Sequence, residues 1–162
     1  MVDFSIAYDL YKLLIASVAC VVVFALKNSK VSKSTLIISV VILVNWLVSQ
    51  FTKEKVVFDT QYTAFAMEAL FTIVLSAFVH VSMRIFHDSY VYIIYMVFGV
   101  KFMSLMIVHI VRLKVFTSDE PIIWLLNLHS FVVIFSDVFI VLCLFFGGCL
   151  KWKLSSYSRY SS

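Results

Sequence analysis

The sequence predicts an all-α membrane bundle of about five antiparallel transmembrane helices, with four spans as the alternative. Three observations predict it. Of 162 residues, 63% are hydrophobic and only 14% charged, with a mean hydropathy of +1.05; a soluble domain runs at about 45–50% apolar and about 25% charged. The apolar residues gather in long runs, and about 20 residues of helix cross a bilayer. The runs do not alternate as barrel strands do. With 3 Gly and 1 Pro there is neither a glycine-rich phosphate loop nor a linker between domains. Residues 1–150 therefore read as one transmembrane domain, and 151–162 as a short basic, Ser/Tyr-rich cytoplasmic tail.

The first run covers 5–26. Asp9 and Lys12 interrupt it and leave an unbroken apolar core from Leu13 to Leu26. If both charges snorkel to the headgroups the helix spans; if not, it lies at the interface and four spans remain. Asp3 and Asp9 stand where a secretory signal would be basic, so this run is expected to stay in the protein. Lys27, Asn28, Ser29, Lys30 and Lys33 separate it from the second run, 34–52. Lys53, Glu54, Lys55 and Asp59 precede the third, 60–83. Arg84, His87 and Asp88 precede the fourth, 90–114. Thr117, Ser118, Asp119 and Glu120 precede the fifth, 121–149. There Ser118 or Asp119 can cap the helix and Pro121 suits its first turn. Short joins make sequential helices antiparallel neighbours.

Basic residues set the orientation. With the N-terminus outside, Lys27, Lys30, Lys33, Arg84, Lys151, Lys153 and Arg159 face the cytoplasm, against Lys12, Lys53, Lys55, Arg112 and Lys114 outside. Trp152 between two lysines reads as an interface anchor. The net charge of +4 is too small to imply nucleic acid. Cys20, Cys143 and Cys149 form no metal or haem-attachment motif and read as small buried residues. Met96, Met103 and Met106 read as packing or lipid-facing residues.

Polar groups within the spans carry the functional information, because a charge at the centre of a spanning helix costs about 2.5–3.5 kcal/mol on insertion scales. The third helix bears Glu68, Thr72, Ser76, His80 and Arg84 at spacing four, one winding ridge. The ridge reads either as the wall of a polar pathway or as a helix-packing surface. A rise of about 1.5 Å per residue puts Asn45, Glu68, His109, Asn127 and His129 at roughly 8–12 Å depth, where they could converge. Lys101 and Asp137 lie deeper, at roughly 20 and 24 Å, a match for an intramembrane ion pair.

Glu68, Thr72, Ser76, His80, His109 and His129 are thus the candidate translocation pathway. The leading functional expectation is an oligomeric channel or ion- or proton-translocating protein. The alternatives are a non-catalytic accessory subunit of a larger membrane complex and a holin-like permeabilising protein. No enzymatic motif is present, so no enzyme is expected. Nor is a cofactor, although His109 and His129 on adjacent helices are a pair that haem would need. Zinc lacks a ligand motif. The expected partners are the lipid bilayer and either further copies of this chain or other membrane subunits.

Overall fold

A computed structural model describes residues 4–28, 31–53, 61–114 and 120–157. These form five helices and no strand: α1 Phe4–Lys27, α2 Lys33–Lys53, α3 Gln61–Ser82, α4 Ser89–Lys114 and α5 Glu120–Tyr157. Four of them hold stretches long and apolar enough to cross a membrane: Leu10–Lys27, Tyr62–Ser82, Ser89–Val111 and Leu128–Gly147. The first run, uncertain in the sequence because of Asp9 and Lys12, is one of the four. The shorter apolar stretch is instead Lys33–Ser49 on α2, where Ser34, Thr35, Ser39, Asn45 and Ser49 dilute the apolar residues.

Cross-contacts make sequential helices antiparallel. Tyr11 on α1 meets Trp46 on α2; Ser34 and Asn45 on α2 meet His80 and Thr72 on α3. Ser76 meets Tyr95 across α3 and α4, and Lys101 meets Asp137 across α4 and α5. α1 also touches α5 and closes a ring, while α2 reaches all four other helices. Its central place explains why the most polar helix is also deeply buried. Trp46, Ile38 and Ile42 on α2 are fully buried with Phe98, Ile94, Ile140 and Leu144.

The bundle has an apolar core, but unlike a soluble protein it also turns many large apolar side chains outward. On α1, Leu14, Val18, Val21 and Ala25 form an inward stripe at helical spacing, while Leu13, Val23, Phe24 and Leu26 face outward. Thr72, Ser76, His80, Lys101 and Asp137 are buried, while Phe78, Met96, Phe131 and Phe135 are exposed. An apolar exterior with buried polar groups set among the core residues suits hydrocarbon surroundings, where small polar groups join helices by hydrogen bonding. Cys20, expected to be buried, is on the exposed side of α1. Met96 and Met103 do face outward, and Met106 is half-buried.

Two helix ends show their local causes. Ser32 caps α2, its Oγ accepting the Thr35 N–H at 3.1 Å. α3 ends in a Schellman turn: the Ile85 N–H reaches His80 O at 2.9 Å and the Arg84 N–H reaches Val81 O at 3.0 Å. Arg84 therefore takes a left-handed φ of 53°, a conformation that costs a non-glycine residue about 1 kcal/mol. Pro121 lies in the first turn of α5; the expected caps Ser118 and Asp119, like 54–60 and 158–162, lie outside the described residues.

α5 departs from expectation at its far end. It runs 38 residues, to Tyr157, although its apolar run was expected to close at 149. Polar residues end hydrophobicity, not helicity, and residues 150–157 contain neither Gly nor Pro to stop the backbone.

Candidate functional site

The ridge on α3 faces inward, between α2 and α4. Thr72, Ser76 and His80 each have no exposed surface, and Glu68 is half-buried. Arg84 lies beyond the helix end, exposed on the turn. Each buried member is answered by a neighbouring helix. Asn45 Nδ2 on α2 donates to Thr72 Oγ1 and, at 3.2 Å, to the Glu68 backbone oxygen. Thr72 Oγ1 donates to the same oxygen at 2.9 Å.

One turn further along α3, about 6 Å on, a second hydrogen-bonded group begins. Ser76 Oγ pairs with the Tyr95 hydroxyl at 2.9 Å, and that hydroxyl pairs with His87 Nε2 at 3.1 Å. His80 Nδ1 lies 2.7 Å from Ser76 O, and its Nε2 lies 2.9 Å from Ser34 Oγ. A carbonyl oxygen only accepts, so Nδ1 carries the proton, and in the neutral ring Nε2 accepts from Ser34. The His87 ring stacks on His80 with centroids 4.2 Å apart and planes 15° apart. Tyr92 and Tyr95 pack around His87.

Asp88 closes this end of the bundle. Its N–H donates to Ser34 Oγ at 3.3 Å, and its carboxylate accepts from Ser32 Oγ. Ser32 also pairs with Thr35 at 2.8 Å, and Thr35 with the Tyr90 hydroxyl. His87, in the turn between α3 and α4, has a pKa held below the ordinary 6.5, first by burial and then by the neighbouring His80.

A different interface holds the remaining candidates. Lys101 Nζ and Asp137 Oδ1 are 2.7 Å apart, both nearly buried, between α4 and α5. Pairing offsets much of the cost of burying each charge. Nearby, His129 Nδ1 meets Ser104 Oγ at 2.9 Å, and the His129 ring meets Tyr62 edge-on at 5.6 Å.

The expected convergence of Asn45, Glu68, His109, Asn127 and His129 does not form one site. Asn45 belongs with α3, and His129 with Ser104 on α4. The half-buried His109 is joined to neither among the described residues. Equal depth put these groups on one level, but helix rotation sent them into separate interfaces. The Asn127 side chain lies outside the described residues. No cluster of three or more His, Cys, Asp or Glu suited to a metal occurs among the described residues.

Sequence reasoning missed Ser34, Tyr90, Tyr95 and Ser104 as partners and treated His87 and Asp88 only as marks of a join. The signal for Ser34 and Thr35 was present as a polar pair opening an apolar helix. Tyr95 and Tyr90 offered none, since tyrosine is common near membrane interfaces.

Compared with known proteins, the chain matches no family model, no curated protein and no solved structure.

Proposed function

We propose that this multi-pass membrane protein conducts protons rather than catalysing a reaction, along the buried seam from Glu68 through Thr72, Ser76 and His80 to His87 and Asp88. The observation that carries the reading is the enclosure of that seam. Thr72, Ser76 and His80 line one face of α3, fully buried, and each is hydrogen-bonded to α2 or α4. Hydroxyl and imidazole groups both donate and accept, so a proton arriving at one member can be passed by exchange to the next. The interval between Thr72 and Ser76 is one helical turn, a gap that a single water bridges. Because the seam lies within one protomer, the path needs no ring of subunits; association into oligomers is compatible with it.

Liposome flux measurements test this. Under a potassium diffusion potential, the reconstituted protein should change lumenal pH faster than protein-free vesicles do. Ser76→Ala and His80→Gln should return the rate to the protein-free level while the variants remain folded. A wild-type rate equal to that of empty vesicles overturns the reading.

A second reading, an accessory subunit of a larger membrane assembly, is favoured by one observation. Phe131, Phe135 and Phe139 stack at 6.0 Å intervals along α5, and the first two are largely exposed. Such a ladder suits a neighbouring helix. Native mass spectrometry of protein gently extracted from its own membrane should then show unlike chains at fixed stoichiometry; a chain that extracts alone counts against it.

A further inference from the structure

The His80 and His87 rings lie face to face, with centroids 4.2 Å apart and planes 15° apart. His80 has no exposed surface, whereas His87, in the turn between α3 and α4, is half-buried. One ring of the pair is thus sealed inside the seam, and the other sits at its end. Stacked in this way the rings bond to other groups rather than to each other. His80 holds Ser76 O and Ser34 Oγ, and His87 Nε2 holds the Tyr95 hydroxyl. That hydroxyl also pairs with Ser76 Oγ, so it is the bonded link between the seam and His87.

Either ring can carry a proton where it stands. A charged His80 donates from Nδ1 to Ser76 O and from Nε2 to Ser34 Oγ, and a charged His87 donates to the Tyr95 oxygen. Charging both is far harder. Two unit charges about 4 Å apart, at an effective dielectric of about 20, weaken the binding of the second proton about a thousandfold. Water beside His87 softens this repulsion without removing it. The other charged groups at this end offset it little. The Asp88 carboxylate accepts from Ser32, while Arg84 in the turn and Lys33 at the start of α2 are exposed and positive. Tyr92 and Tyr95, packed on His87 from α4, are of a type uncharged at neutral pH. The lowered pKa of His87, set first by burial and then by His80, runs in the same direction.

We propose that the stacked pair holds one proton at a time and thereby rations flow through the seam. Once His87 is charged from the surrounding water, His80 is barred from charging. A proton taken up by His80 in turn drives the one on His87 out to water, so each proton entering is matched by one leaving. This role rests on the proton-conducting reading. Its consequence is that acid at the turn slows conduction instead of feeding it.

Imidazole ¹⁵N NMR of the full chain in lipid nanodiscs tests the exclusion. His80→Phe keeps a stacked ring without its charge, and His80→Gln keeps a hydrogen-bonding side chain. In both variants His87 should take up its proton at least about half a pH unit higher than in wild type, a roughly threefold gain in affinity. An unchanged midpoint in both overturns the proposal. Liposome flux tests the rationing. At equal pH on both sides and a fixed potassium diffusion potential, the rate should rise on acidification from about pH 8 and turn down below about pH 6 as His87 charges. A rate that climbs in proportion to proton concentration down to about pH 5 also overturns the proposal. A wild-type rate equal to that of empty vesicles is a different failure: it removes the conducting reading and the rationing with it, while the titrations still decide whether the pair excludes a second proton.

Discussion

The two faces of α4 handle polarity in opposite ways. Toward α2 and α3, its Tyr90 and Tyr95 join a network in which Ser32, Ser34, Thr35, Ser76, His80, His87 and Asp88 share bonds. Toward α5, Lys101 makes one strong contact with Asp137, and Ser104 makes one contact with His129. On the first face Ser32, Ser34, Thr35 and Tyr95 each bond two partners, so the loss of one bond leaves these four still tied to the network. On the second, losing either charge leaves the other buried alone. The number of partners per group, not the strength of any single bond, therefore sets how each face tolerates change.

The largest expected effect breaks the second face. Lys101→Met or Asp137→Asn should each cost about 3–5 kcal/mol in unfolding experiments in detergent, because each strands a buried charge or its partner. The double variant Lys101→Met with Asp137→Leu should recover most of that loss. If the singles are as mild as surface substitutions, the two faces do not differ in the way described.

A second experiment sharpens the comparison through packing. At Gly147 on α5, a Cβ would lie 2.5 Å from the Tyr90 ring. Gly147→Ala must displace the ring that reaches Thr35, so it should destabilise by about 1–3 kcal/mol. A drop in thermal midpoint checks it, and an unchanged midpoint would mean that Tyr90 moves freely and the network is looser than the structure implies.

The smallest effect is a pH dependence confined to the first face. The pKa of His87 is lowered in the folded protein, so just below 6.5 the unfolded chain binds more protons there. The contribution of His87 is then fully present above 6.5 and declines as pH falls through its depressed value. Hydrogen exchange in the turn at 83–88 should quicken on acidification across that window, while amides around Lys101 and Asp137 stay protected. Equal acceleration at both places would remove the distinction.

Much of this architecture is legible in one dimension. Apolar runs and polar joins locate the helices to within a few residues at most ends, and depth alone places Lys101 level with Asp137. Rotation is not legible. Asn45 and His129 share a level but turn into different interfaces, and only the packed structure shows that Ser34 meets His80 or that Tyr95 bridges Ser76 and His87. The end of α5 was missed for another reason: hydropathy marks where hydrocarbon ends, whereas helicity continues until a residue breaks it.

That continuation has a geometric consequence. Ten residues of helix follow Gly147, to Tyr157, about 15 Å of helix beyond the apolar stretch. The longer part of α5 is packed against α1 and α4, and the shorter part extends beyond it. The extension carries the helical phase set inside the membrane out past the apolar stretch, so the rotation of α5 in the bundle fixes which way residues 148–157 face.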